Sequence, residues 1–336
     1  MANQEKLSKF LKVSQGTVSR ALRSNGRVSP ELRERVVKAA RHMGYQLPVR
    51  ATPRRVRTSR SRGLICVEIV NGDAWHALLI GGAIDAAKEV GREVIVAPHR
   101  TGAIPQVVSG GQVEGLVRLM GPADYYPGGK PLEESPVPTV SILYPAPGAD
   151  VVSVDAFESA CDLGLHLGAM HPGIAAYLGY VDRIGHARWL GLMAGLRERG
   201  ATLPMDLVRI TGDINIAPSM RLVDELLDLR AAGRPEHQFT LLGCYNDFIA
   251  RYAIERIRAR GLRVPEDIGV AGYDDVDPAP SPGSRLTTVH LPIRELGMAA
   301  VRRLHTRLLH PGEPPLHWLL QTHVIEGNSV IRREMR

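Results

Sequence analysis

The chain has little of what most covalent and catalytic chemistry is built from. It holds 3 Cys in 336 residues, and aromatic residues make up 5%. Cys66, Cys161 and Cys244 are odd in number, far apart and each set in an apolar run. That pattern describes small buried hydrophobes in a reducing compartment, not disulfide partners or metal ligands. The 12 His are scattered without metal-ligand spacing, so neither a metal nor another cofactor is expected. There is no Walker-type Gly-x-x-x-x-Gly-Lys loop, no Gly-x-Ser-x-Gly elbow and no His-Glu-x-x-His pair, so an enzyme is not expected. No apolar run approaches the roughly 18 residues that cross a bilayer, and no secretory core segment opens the chain, so a soluble, cytoplasmic protein is expected. Acidic residues are scarcest at the front. Residues 1–62 carry 4 Lys and 12 Arg against 3 Glu, a net +13 in a chain of net +7, which leaves the remainder at −6. A small basic head on a mildly acidic body is the footprint of a module that meets a polyanion.

What is present is most informative at residues 13–22. Ser14 stands as an N-cap, and Val18, Ala21 and Leu22 fall on one face of a short helix, with Gln15, Gly16, Ser19 and Arg20 on the other. Leu7, Phe10 and Leu11 give a first short helix just upstream, with Lys12 and Val13 at the turn. Two helices joined this tightly, the second polar at its front, describe a helix-turn-helix, or else an ordinary amphipathic hairpin. A third helix follows, capped by Ser29 with Pro30 at its first position, a stripe of Leu32, Val36, Ala39, Ala40 and Met43, and Gly44 as its stop. Residues 46–62 then become a linker rich in Pro and Arg.

From Gly63 onward the texture is α/β. Strands are expected at 64–70, 93–97, 113–120, 137–143, 174–179, 207–211, 240–244 and 268–272, and helices at 78–90, 157–170, 187–199, 218–232 and 247–260. Such alternation gives parallel sheets with helices on both faces. The run is too long for one sheet, so two doubly wound subdomains are expected, with a ligand in the cleft at the carboxyl ends of their strands.

Several motifs together resemble the LacI/GalR (lactose/galactose repressor) family of bacterial transcription regulators. In the head they are Val13-Ser14, Thr17-Val18-Ser19-Arg20, Val28-Ser29, Arg33-Glu34-Arg35-Val36 and Gly44-Tyr45. In the body they are Asn246-Asp247, Gly269-Val270-Ala271-Gly272-Tyr273-Asp274-Asp275, Leu286-Thr287-Thr288-Val289, and Pro292 with Glu295-Leu296-Gly297. The resemblance implies an operator-binding regulator, a homodimer on a near-palindromic double-stranded operator, and a core like a periplasmic sugar-binding protein. A saccharide or polyol effector would lie in its cleft, without a membrane partner. The expected organisation is an α/β protein with a helix-turn-helix head at 1–46 and a hinge linker at 47–62. One core subdomain would take 63–160 with 291–322, the other 161–290 with 323–336. The alternative is a small-molecule binding protein on the same fold without a DNA role.

Carried over position by position, Gln15, Gly16 and Arg20 fall at base-reading positions, while Ser14, Thr17 and Ser19 suit phosphates. The family's turn glycine is Lys12 here. Its hinge helix meets Ala51-Thr52-Pro53-Arg54, so Arg54, Arg55 and Arg57 are expected in the minor groove in place of an apolar wedge. In the cleft the resemblance points to Trp75, His76, Asp155, Asn246 and Asp274 for the effector, although Asn246 and its neighbour Asp247 also suit a helix cap. The family's clamping Arg, three residues before a helix glycine, aligns with Leu192 ahead of Gly195, which leaves Arg188, one turn earlier, to reach in from the same face.

Overall fold

The computed structural model describes residues 4–22, 28–43, 63–100, 103–119, 135–146, 148–212, 216–276 and 283–332. The chain divides into two compact units, Met1–Arg57 and Thr58–Arg336.

In the first unit, α1 (Gln4–Leu11), α2 (Gln15–Leu22) and α3 (Pro30–His42) enclose a core of Leu7, Val18, Ala21, Val36, Ala39 and Ala40. Capping sets where the helices begin. Ser14 Oγ accepts from the Thr17 amide at 3.1 Å, and Ser29 Oγ accepts from the Leu32 amide at 3.3 Å. Between α1 and α2, Lys12 takes φ 54°, the left-handed conformation that costs a non-glycine residue about 1 kcal/mol. The expected apolar stripe of the first helix is narrower than its residue types suggest. Leu7 is buried and Leu11 half-buried, but Phe10 is 61% exposed.

The second unit is built on two parallel sheets. Its elements run β1 (Leu64–Ile69), α4 (Ala74–Glu89), β2 (Glu93–Pro98), α5 (Gln106–Ser109), β3 (Gly115–Leu119), β4 (Thr139–Ile142), β5 (Asp150–Val154), α6 (Ala156–Met170) and β6 (Ala175–Tyr180). They continue with α7 (Arg183–Glu198), β7 (Val208–Thr211), α8 (Ile216–Ala231), β8 (Leu241–Cys244), α9 (Asp247–Ala259), β9 (Gly269–Ala271), β10 (Thr288–His290), α10 (Ile293–Leu309), β11 (His317–Leu320) and β12 (His323–Ile325). One sheet has the order β11-β5-β4-β3-β1-β2 and the other β7-β6-β8-β9. Strands covered on both faces are mostly apolar rather than alternating, and β3 and β5 are buried along their whole length, the polar exceptions Arg118, Asp150 and Ser153 included.

The chain passes between the sheets more than once. It leaves the first after β5, builds the second, and returns through β10 to α10 and β11, the latter pairing with β5. Strands β10 and β12 form an antiparallel two-stranded ribbon. Helix α10 lies against α4, and α6 against α7. In the α6–α7 pair the backbones nearly touch: a Cβ added at Gly191 would overlap the Phe157 carbonyl, and one at Gly195 the Cys161 carbonyl.

Helices α4 and α7 each begin about a turn earlier than their apolar pattern predicts. Asp73 accepts from the His76 amide and Asp182 from the Gly185 amide, and each cap starts its helix before the first buried stripe residue. Cys66, Cys161 and Cys244 are all free thiols. No helix among the described residues is long and apolar enough to cross a membrane.

Candidate DNA-reading helix and effector cleft

In the head, burying Val18 and Ala21 turns the opposite face of α2 outward. Ser14, Gln15 and Gly16 are exposed, and Thr17 and Ser19 half-buried. Ser14 is already committed locally, bonding Thr17 Oγ1 at 2.8 Å as well as capping the helix. Gln15 offers an amide that both donates and accepts, and Gly16 beside it presents only backbone. The side chain of Arg20 lies outside the described residues, as do Arg54, Arg55 and Arg57 with the whole of 44–62.

In the core unit, the carboxyl ends of β6, β8 and β9 bring several polar side chains together. Arg188, in the second turn of α7, is 5% exposed. Its guanidinium donates to Asp274 Oδ1 at 3.0 Å and to the Tyr245 carbonyl at 2.6 Å. It also lies over two rings, with Cζ 3.6 Å from the Tyr273 centroid and 4.7 Å from that of Tyr245. Its Nε is buried and makes no hydrogen bond among the described residues. Burial works against the cation, but Asp274 and the surrounding phenols hold its pKa above the ordinary arginine value. Burial pushes the Asp274 carboxyl up to about 6; Arg188 pulls it down and the charge of Asp73 adds to the rise. The Asp73 effect places the loop after β1 within electrostatic reach of the loop after β9. Asp274 and Asp275 take φ 108° and 57°, a conformation that aspartate tolerates better than most residues.

Leu192 is not vacant space in the cleft; it is 3% exposed and packs against Gly243 in the core beneath the second sheet. Arg188 carries the contact, and Gly191, three residues on, supplies the Arg-x-x-Gly spacing one turn before the aligned one.

The other expected residues are placed unevenly. Asn246 caps α9, accepting from the Ile249 amide at 3.0 Å, and its neighbour Tyr245 supplies the carbonyl for Arg188. Asp155 caps α6, accepting from Phe157 and Glu158. The same turn reaches the cleft through Ser159, which bonds the Tyr273 hydroxyl. His76 uses both ring nitrogens within its own loop: Nδ1 contacts Asp73 at 2.6 Å, and Nε2 accepts from the Asn71 amide at 3.4 Å. Trp75 is half-buried against the main core, edge-on to His76 with ring centroids 5.2 Å apart.

Residues that the sequence reading missed are as central as those it found. Asp182 is 5% exposed and accepts from the Tyr144 hydroxyl at 2.7 Å and the Tyr245 hydroxyl at 3.2 Å. Tyr144 directly follows the expected strand 137–143, and position at a strand's carboxyl end is the signal that would have found it. Asp247, 1% exposed, accepts from Thr288 Oγ1 and the Val276 amide, both at 2.7 Å. It therefore ties the loop carrying Asp274 to the ribbon strand β10. Burial pushes its carboxyl up to about 8, with the charge of Asp274 adding to the rise.

Residues 11–47 match the bacterial regulatory proteins of the lacI family, and residues 174–330 match the periplasmic binding protein-like domain. The chain belongs to the LacI family. It is a helix-turn-helix, DNA-binding, effector-responsive transcription regulator, with two α/β subdomains in its core. Among its relatives, the transcriptional regulator CelR of Thermobifida fusca is 27% identical over 94% of this chain and 95% of its own length. The repressor PurR of Aliivibrio fischeri (strain MJ11) is 36% identical, but over 37% of this chain and 36% of the relative. The solved CelR–cellobiose complex superposes with a TM-score of 0.69 at 26% identity, covering 98% of this chain and 100% of that one.

Proposed function

We propose that this LacI-family protein is an operator-binding repressor, acting as a homodimer on a near-palindromic site and switched by a neutral saccharide or polyol. The observation that carries the effector half is Arg188. It is a buried guanidinium fixed by Asp274, set over the rings of Tyr245 and Tyr273, with its buried Nε–H uncommitted among the described residues. A buried donor without a partner costs about 1–3 kcal/mol, and a ligand oxygen would recover it. Trp75 supplies an aromatic face in the same region, and Asp274 supplies carboxylate oxygens that accept from hydroxyls. Asn246, Asp155 and His76 shape the surrounding loops through the caps described above. Cellobiose is the first effector to test, because CelR, similar over nearly the whole chain, has been solved with it.

In the head, Gln15 and Arg20 would read base edges, Gly16 would allow close approach, and Ser14, Thr17 and Ser19 would position phosphates. Arg54, Arg55 and Arg57 would enter the minor groove at the operator centre. Effector binding would favour one arrangement of the two subdomains, and the coupling to DNA can be no larger than its difference in affinity for the two arrangements.

The test is operator selection on the purified full-length protein, repeated with cellobiose present, together with a variant lacking residues 1–62. The expected result is a two-fold symmetric consensus whose occupancy changes with the sugar, and a truncated protein that binds cellobiose but no DNA. Truncated protein that still selects the operator would refute the assignment of the head. Full-length protein indifferent to every neutral sugar would refute the effector class.

A further inference from the structure

We infer that Asp182 is a specificity-determining carboxylate of the effector site, its Oδ2 held by the Tyr144 hydroxyl where a ligand hydroxyl would bind, so that the site accepts uncharged polyhydroxylated ligands and rejects phosphorylated or carboxylated ones. This rests on the saccharide reading above and goes further, assigning a residue, an internal competitor and a charge rule.

The two oxygens of Asp182 have separate tasks. Oδ1 caps α7 by accepting from the Gly185 amide at 2.5 Å, which fixes the carboxylate plane. Oδ2 faces the phenols of Tyr144 and Tyr245. Burial, together with neighbouring charges that include Asp182, raises both phenols well above their ordinary pKa, so they stay protonated and act as donors. Tyr245 belongs to the same sheet as Asp182. Tyr144 does not: it follows β4 in the other sheet, so its bond crosses from one carboxyl edge to the other.

The segment presenting Tyr144 is held under strain. Leu143 takes φ 64°, its carbonyl accepts from Ser153 Oγ at 3.2 Å, and the Tyr144 carbonyl accepts from Ser141 Oγ. A left-handed leucine persists only where surrounding contacts over-determine it. Here those contacts deliver a phenol to a buried carboxylate in the opposite subdomain.

Asp182 also stands in the wall of a cavity of about 360 Å³, lined by Tyr180, Arg183, His186, Trp189 and Ile210 among others. That volume lies at the lower end for small-molecule sites, and its rings offer stacking faces. A hydroxyl arriving there reaches Asp182 Oδ2 by replacing a phenol hydroxyl, a like-for-like exchange of donors. The charges decide the class of ligand. A group placed at Asp182 Oδ2 meets a carboxylate, the buried cation Arg188 is already matched by Asp274, and Arg183 and His186 in the cavity wall are exposed, so that solvent and salt screen them. A phosphate or carboxylate on the ligand would add repulsion in a low-dielectric site.

The test is calorimetric titration of the full-length protein with cellobiose and with its 6-phosphate ester, for wild type, Asp182→Asn and Tyr144→Phe. Asparagine keeps an oxygen for the Gly185 amide but presents a donor where Asp182 accepts. Expected are binding of cellobiose, at least tenfold weaker binding of the phosphate ester, and at least a tenfold loss in Asp182→Asn. Tyr144→Phe, which removes the shorter of the two competing donor contacts and leaves that of Tyr245, should tighten cellobiose binding about threefold or more. An ester that binds as well as the free sugar, or an Asp182→Asn protein that binds cellobiose unchanged, overturns the inference and leaves the saccharide reading standing. If Asp182→Asn does not fold by circular dichroism, Tyr144→Phe decides: unchanged or weaker binding overturns the inference. Wild type that binds neither ligand nor any other neutral sugar or its phosphate overturns the saccharide reading and this inference with it.

Discussion

Replacing Arg188 with methionine keeps much of the stem but strands Asp274. With the cation in place, the buried carboxyl titrates at about 6, against an ordinary aspartate value of 3.8. A carboxyl raised on folding makes stability fall as pH rises, because the native state holds a proton that the unfolded chain releases. In wild type that loss begins near pH 4 and levels off once Asp274 ionises above pH 6. In Arg188→Met the cation that lowers this carboxyl is gone, so the native group is expected to hold its proton up to about pH 8, as unpaired buried carboxyls do, and the loss continues. Each pH unit above 6 therefore costs the variant about 1.36 kcal/mol more than wild type. Between pH 6 and pH 8 the gap should widen by about 2.7 kcal/mol. Losing the hydrogen bond to Tyr245 and the stacking on Tyr273 adds roughly 2–3 kcal/mol that does not depend on pH. Urea unfolding followed by tryptophan fluorescence suits this measurement, because the 3 Trp of the chain, Trp75, Trp189 and Trp318, all lie in the unit Thr58–Arg336. The head is silent in that signal. Adding Asp274→Asn to the variant should abolish the widening. A penalty of equal size at pH 5.5 and pH 8 would refute the reasoning, since Asp274 would then not depend on Arg188 for its charge.

Further outcomes follow from other contacts. Asp247→Asn should flatten the loss of stability that wild type shows between about pH 4 and pH 8, because a carboxyl raised to about 8 on folding disfavours the native state across that window; thermal melts at pH 5 and pH 8 measure it. Gly191→Ala places a methyl against the Phe157 carbonyl and should cost roughly 1–3 kcal/mol or more, read as a lowered Tm of the core unit. Lys12→Gly should stabilise the isolated head by on the order of 1 kcal/mol, since glycine takes φ 54° without the steric cost. Operator affinity should fall steeply between 50 and 200 mM salt if the head neutralises several phosphates, with a log–log slope of about −0.9 for each phosphate contacted; a flat salt dependence counts against phosphate contact.

The head is legible in the sequence because its determinants are local. Ser14 and Ser29 cap helices within three residues of themselves, and Val18 and Ala21 declare the buried face by spacing alone. The left-handed turn at Lys12 is legible only as a departure from the family's glycine. In the core, continuous apolar strands announce themselves, whereas β11 does not: it is an edge strand with His317, Trp318 and Leu319 all exposed, so no alternation marks it. The cleft is half legible. Asp274 sits in a motif, and Arg188 follows from helical periodicity, because the aligned position holds Leu192 in place of the family's Arg. Tyr144 and Asp182 are separated by two strands and a helix, and a hydrogen bond between two ordinary-looking side chains leaves no local trace.

The glycine contacts between α6 and α7 have a mechanical consequence. Two helices whose backbones meet at Gly191 and Gly195, with no intervening side chains to shear, turn as one piece. Helix α6 begins directly after the crossover at Asp155 and lies against both ribbon strands, β10 and β12, while α7 carries Arg188 one turn before Gly191, which meets Phe157 in the first turn of α6. A displacement at the guanidinium is therefore not absorbed by side-chain rearrangement along the way. The guanidinium and the crossover stand at the same end of the pair, joined by one backbone contact at Gly191 rather than by a chain of side chains.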